Sequence, residues 1–233
     1  MPVKSRSYFS VPYLCGASMF AREAYKTEIS NGGASESEDP LTHRARVLSA
    51  ITSSAAALEA MINEAFADAV ESDGSCVAAV PADTRAMMAA LWDRDIPRTA
   101  RYGILEKFDI AHLVITGRGL DKSQQRWCNA SWVVKLRNSF IHFEPSWQTH
   151  DTINALATPA ASEGFKKYER ALKGLFAENR ICGAGNPFYP DKLLGHGCPE
   201  WSIKSVLDFA DHFWQSIGVV PVYDSYRHLL TTR

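Results

Sequence analysis

The chain has 233 residues, of which 46% are hydrophobic and 22% charged, a composition typical of a globular protein with one sizeable core. Its 25 basic and 26 acidic residues give a formal net charge of −1. No global positive field therefore marks a nucleic-acid binder, although a transient RNA substrate does not require one. Ser, Pro, Cys and Gly interrupt the apolar residues near the N-terminus, and no apolar run approaches ~18 residues, so we predict neither a secretory signal nor a membrane contact.

The spacing of apolar residues predicts a mostly helical chain. The strongest pattern covers residues 41–72, where apolar residues recur at helical intervals and alanine is abundant. Clusters of Gly, Pro and Ser separate the other predicted helices, at residues 13–29, 81–92, 98–116, 124–143, 160–179 and 200–217. The predicted fold class is an all-α bundle, divided into an N-terminal helix and loop (1–38), a helical bundle (39–180), and a loop plus C-terminal helix packed on the same domain (181–233).

Five cysteines are scattered along the chain, which predicts reduced thiols and a cytoplasmic location. Cys182, His196 and Cys198 invite a zinc hypothesis, but their C-x13-H-x-C spacing fits no familiar zinc module and lacks a fourth ligand. The segment GAGNP (183–187) lacks the Gly-Lys-Ser/Thr ending of a P-loop. We therefore predict no metal ion and no other cofactor.

The segment VVKLRNSFIHFEP (133–145) places polar side chains near the end of an otherwise apolar predicted helix. Residues four apart share a helix face, so Asn138 and His142 lie on one side, and the neighbouring Arg137 is long enough to reach His142. Histidine exchanges protons near neutral pH, and arginine binds phosphate through its forked donors. The trio therefore suits metal-independent RNA cleavage, in which a ribose 2′-hydroxyl attacks the adjacent phosphate. Simple capping of the helix C-terminus is the alternative.

The R-N-x3-H pattern at this helix end, with the Ala-rich stretch SAITSSAAALEAMINEAF (49–66) upstream, resembles the HEPN superfamily over about residues 40–180. The resemblance implies a HEPN-like bundle that forms a homodimer, with a composite active site lined by both motifs. It also implies an endoribonuclease of a toxin, antiviral-defence or RNA-processing system, with RNA as substrate and a cognate antitoxin or regulatory protein as a further partner. In that case Arg137 stabilises the charge on the phosphate, His142 acts as acid and base, and Asn138 orients the histidine.

Glu59 and Asn63, four apart on the long helix, are predicted to support the motif if the two helices pack together, by hydrogen bonding to Arg137 or His142. A solvated face or a buried structural pair is the alternative. Two other functions stay open. A non-catalytic HEPN-like module that binds RNA, a nucleotide or a protein predicts that Arg137 and His142 are buried or paired away from any cleft. An unrelated all-α partner-binding protein predicts that the long helix and the motif helix are not paired.

Overall fold

The computed structural model describes residues 6–30, 39–70, 76–144, 163–183 and 185–233, and within them every regular element is helical. A single π-helical turn at Phe188–Lys192 and a 3-10 helix at Val222–Leu229 accompany the α-helices. The α-helices are, in chain order, α1 (Ser10–Ser30), α2 (Pro40–Asp68), α3 (Ala82–Asp93), α4 (Ile104–Thr116), α5 (Gln125–Ile141), α6 (Glu163–Leu172) and α7 (Gly197–Ser216). The predicted all-α class is confirmed, whereas the HEPN-like arrangement stays a prediction.

Helix α4 shows why some helix ends differ from the predicted ones. It begins at Ile104 instead of residue 98, because the Glu106 side chain accepts the Gly103 N–H at 3.2 Å and fixes the first turn there. It ends at the predicted GRG segment, where Gly117 adopts a left-handed conformation with φ 74°. Local capping therefore shortens the helix at its start and agrees with the sequence at its end.

The C-terminal third also departs from the predicted boundaries. The helix predicted at residues 160–179 ends at Leu172, shortly before Gly174, whose φ is 86°. Helix α7 begins at Gly197, ahead of residue 200, because Pro199 in the first turn costs no helical hydrogen bond. The tail, which has no clear pattern in the sequence, forms the 3-10 helix. The predicted loop at 30–40 lies mostly outside the described residues, as do the turn at 72–75 and Pro145.

Helices α1 and α2 pack against each other as an antiparallel pair. Near the end of α2, Glu64 accepts the backbone N–H groups of Phe9 and Ser10 at 2.7 and 2.9 Å. Near the start of α2, His43 bonds to Glu28 at the end of α1 at 2.9 Å. The two helices and α7 approach closely because the side chains between them are small. These are the buried Ala17, Ala21 and Ala50. Residues of all three predicted parts of the chain therefore share one core.

Aromatic packing holds α4 against α7 in a larger hydrophobic cluster. The Phe108 ring, which is fully buried, meets Phe209 and Phe213 edge to face, with centroid distances of 5.1 and 4.8 Å. Helix α5 lies beside α2 and α7 and contributes the buried Ala130, Val133 and Leu136. The motif helix is therefore fixed along its buried face, and its C-terminal end carries the polar residues of interest.

Helix α2 is the one described helix that is, by length and composition, apolar enough to cross a membrane. No continuous apolar run is present in it, because serines, Glu59 and Asn63 interrupt the sequence. Its apolar residues face the core, where the helix contacts α1, α4, α5 and α7. Core packing therefore accounts for its hydropathy.

A group of polar side chains is buried where α1, α2 and α7 meet. The Glu28 carboxylate, with no exposed surface, lies 2.9 Å from His43 Nε2 and 2.7 Å from His196 Nδ1, and it also accepts the His196 N–H. Burial raises the pKa of Glu28, but the hydrogen bonds from His196 and His43 outweigh it and lower the pKa to about 2. Cys182 instead contacts the Asn179 carbonyl at 3.2 Å. Within the described ranges, no group of His, Cys, Asp and Glu is arranged to hold a metal ion.

Candidate functional site

The arginine of the RNSFIH segment is held by a carboxylate of the neighbouring helix α2. Arg137 Nη2 donates to Glu59 Oε2 at 2.9 Å, and Nη1 donates to Asn138 Oδ1 at 2.9 Å. The Arg137 side chain keeps 24% of its surface exposed, and Glu59 keeps 32%. The two bonds fix the direction of the guanidinium plane, and its remaining donors are left for a ligand at the surface.

A buried lysine from α4, Lys107, shares the same carboxylate. Its ammonium lies 3.4 Å from Glu59 Oε1 and 3.1 Å from Asn63 Oδ1, and its side chain is only 2% exposed. Each oxygen of Glu59 therefore faces one cation, and the formal charges of Lys107, Glu59 and Arg137 sum to +1. Without Lys107, Glu59 would neutralise Arg137 completely.

Lys107 is not among the predicted site residues, although the sequence contains a signal for it. Lys107 follows Ile104 by three residues and precedes Phe108 and Ala111 by one and four residues. It thus lies on the stripe of α4 that is buried in the fold. A lone lysine on such a stripe needs a buried partner, and the pair Glu59 and Asn63 supplies acceptors.

His142 lies one residue beyond the end of α5. Its backbone leaves helical geometry (φ −105°, ψ 40°), and its N–H donates to the Asn138 carbonyl at 3.0 Å. The imidazole is exposed, and among the described residues it makes no side-chain hydrogen bond. Among the described residues the guanidinium of Arg137 bonds to Glu59 and Asn138 and makes no contact with His142, because the Glu59 carboxylate adds the attraction of an opposite charge.

A groove of about 420 Å³ opens beside the guanidinium. One wall is the middle of α2, with Glu59, Asn63 and Glu64, and the far wall is the start of α1, with Phe9 and Tyr13. Arg137 reaches into the groove from α5, whereas Asn138 and His142 do not line it. The N-terminal segment, which precedes the predicted helical bundle, therefore contributes Ser7, Phe9 and Tyr13 to the lining of this groove.

The predicted site residues fall into two groups. Glu59, Arg137 and Asn138 are in direct contact, and Asn63 joins them through the buried lysine. His142 stands apart on the exposed end of the motif helix. The arrangement can bind an anion through Arg137 and exchange a proton through His142, but the described residues of one chain do not bring the two side chains into one cleft.

Compared with known proteins, the chain matches no family model, no curated protein and no solved structure. By its structure the chain is an all-α protein. Its candidate site is a polar groove, rimmed by aromatic side chains, beside the cationic cluster of Lys107, Glu59 and Arg137.

Proposed function

We propose that the protein is a HEPN-like, metal-independent endoribonuclease that acts as a homodimer. The supporting observation lies at the end of α5. There Asn138 and Glu59 fix the guanidinium of Arg137, and the exposed imidazole of His142 follows about one turn later. Arginine suits the phosphate and histidine suits the proton transfers of RNA cleavage. Because His142 lies outside the groove that Arg137 lines, the proposal requires a second copy whose motif completes the cleft.

The proposed reaction is an attack of the ribose 2′-oxygen on the adjacent phosphorus. A 2′-oxygen–phosphorus bond forms, the bond to the 5′-oxygen breaks, and the products carry a 2′,3′-cyclic phosphate and a 5′-hydroxyl. Neutral imidazole accepts the 2′-hydroxyl proton and imidazolium donates a proton to the leaving oxygen, so the two His142 side chains of a dimer divide these tasks. Arg137 stabilises the charge that develops on the phosphate oxygens.

RNA cleavage in EDTA by the purified protein tests the proposal. We expect His142→Ala to slow cleavage by about 10²- to 10⁴-fold, the usual contribution of a general acid or base. His228→Ala is the matched control, since His228 is also exposed but belongs to the C-terminal 3-10 helix. Cleavage by His142→Ala at the wild-type rate would sink the assignment, and sedimentation of the same samples tests the dimer.

A second function is supported by one observation, the ion pair that occupies Arg137. Since Glu59 holds the guanidinium at 2.9 Å, the residue also fits a non-catalytic HEPN-like module that binds RNA, a nucleotide or a protein partner. Such a module binds without cleaving, and His142→Ala leaves its binding unchanged. Product formation by the wild type that disappears in His142→Ala excludes this second function.

A further inference from the structure

Two exposed aromatic rings form the rim of the groove beside Arg137. Phe9 is 57% exposed and Tyr13 is 40% exposed, and both line the groove. Their ring centroids lie 6.2 Å apart with the planes tilted by 41°. Exposed aromatic side chains that gather at a hollow indicate a contact surface, because contiguous exposed apolar surface marks binding sites whereas single exposed rings do not.

The backbone that carries these rings is anchored to the end of α2. Arg6 and Tyr8 both donate to Asp68, at 2.9 and 2.7 Å, and the hydrogen bond to Asp68 raises the pKa of Tyr8 to about 12. Glu64 accepts the Phe9 N–H at 2.7 Å. Since these bonds fix the start of α1 before any ligand arrives, the rim presents its rings at little ordering cost.

The α2 side of the groove is polar and suits the edge of a nucleobase. Carboxylate and amide groups bond to base N–H and ring acceptors, and here they are supplied by Glu59 and Asn63. Arg137 enters at the same wall with a geometry that binds phosphate oxygens. The hollow of about 420 Å³ lies within the size range of small-ligand sites.

We propose that this groove binds one unstacked nucleotide of single-stranded RNA. The base stacks on Tyr13 and Phe9, Glu59 and Asn63 contact its edge, and Arg137 holds its phosphate. Aromatic rings beside a cationic side chain are the general means by which proteins hold single strands. The proposal rests on the proposed RNA substrate and extends it, because it gives the N-terminal helix a part in substrate selection.

A single-stranded oligonucleotide with 2′-fluoro riboses, which lack the attacking hydroxyl, tests the site without cleavage. One 2-aminopurine base in the oligonucleotide reports stacking through quenching of its fluorescence. We expect Tyr13→Leu to weaken binding about 5- to 100-fold, to reduce quenching, and to leave the salt dependence of the affinity unchanged. Tyr13→Trp restores both binding and quenching, which a merely structural role of Tyr13 does not predict.

Two further variants make the result specific. Arg137→Gln is expected to weaken binding and to lower the slope of log affinity against log salt by about 0.7, the value of one phosphate contact on a single strand. Tyr226→Leu is the matched control, because Tyr226 is 43% exposed and lies on the C-terminal 3-10 helix. Circular dichroism of each variant shows that the fold is retained.

The outcomes separate this site from the ribonuclease proposal. Unchanged binding and quenching in Tyr13→Leu and Phe9→Leu, with a clear loss in Arg137→Gln, overturn the nucleotide site and leave the ribonuclease standing. Loss of binding and quenching in Tyr13→Leu, in a protein that cleaves no RNA in EDTA, supports the site and overturns the ribonuclease. Failure of the wild type to bind the probe overturns the site whatever the cleavage assay shows.

Discussion

Replacement of Glu28 by glutamine tests how much the buried carboxylate stabilises the fold through its charge. Glu28 has no exposed surface and is bonded to His43 Nε2 and His196 Nδ1. Glutamine keeps the size of the side chain and one carbonyl oxygen, but it carries no charge. The variant therefore removes the charge-assisted bonds while leaving the packing of α1, α2 and α7 close to its original state.

The size of the effect follows from the pKa of Glu28, which falls from 4.5 to about 2 on folding. This lowering of the pKa corresponds to about 3 kcal/mol of stability at pH 7. Because the folded-state pKa is the lower one, this contribution is complete above pH 4.5 and is lost as the pH falls toward 2. By the same linkage, roughly half or less of it remains at pH 3.

Urea unfolding at pH 7 and pH 3, followed by circular dichroism, measures the prediction. We expect Glu28→Gln to lose about 3 kcal/mol at pH 7 and clearly less at pH 3, where the wild type has already lost part of the contribution. Glu23→Gln on the same helix is the control, since Glu23 is half-buried and forms an ion pair with Lys26 at the surface. A loss of equal size at both pH values would refute the electrostatic explanation and indicate a packing effect.

Two predictions concern the framework around the site, both measured by urea unfolding. Phe108→Ala removes a fully buried ring and is expected to lower the free energy of unfolding by about 3–5 kcal/mol. The control, Leu113→Ala on the exposed face of α4, changes it little. Similar losses of stability in the two variants would contradict the assignment of Phe108 to the core. Gly197→Ala brings a Cβ against the Ala177 carbonyl and destabilises by about 1–3 kcal/mol. Gly16→Ala meets nothing within 4 Å inside α1 and is expected to stabilise by about 0.5–1 kcal/mol; the reverse order would contradict the packing at Gly197.

The all-α class could be predicted because apolar periodicity is a local property of each helix. The stripe of α2 and the left-handed Gly117 at the end of α4 are both visible in the sequence. The start of α4 was harder to predict, because residues 98–103 continue a pattern that is compatible with a helix. Only the hydrogen bond between Glu106 and Gly103 fixes the boundary. The order of helices in space depends on contacts between distant residues, which periodicity does not encode.

The candidate site was predictable in its residue types and less so in its geometry. Four-residue spacing on α2 marked Glu59 and Asn63, and the RNSFIH segment marked Arg137. The groove depends on Glu64, whose carboxylate accepts two backbone N–H groups at the start of α1. That contact spans more than fifty residues of chain, so no local pattern predicts that Phe9 comes to lie opposite the motif helix.

The buried cluster around Glu28 also constrains when the protein can fold during synthesis. Helix α1 is made before α7, and Glu28 gains its bond to His196 only after 168 further residues have been added. Arg22 on the same helix similarly bonds to the Leu229 carbonyl, 207 residues away. Until the segment that carries His196 leaves the ribosome, the ionised Glu28 carboxylate lacks one of its two imidazole partners. We therefore expect the nascent chain to depend on its C-terminal helix for folding, so that truncated products are targets for chaperones and proteases.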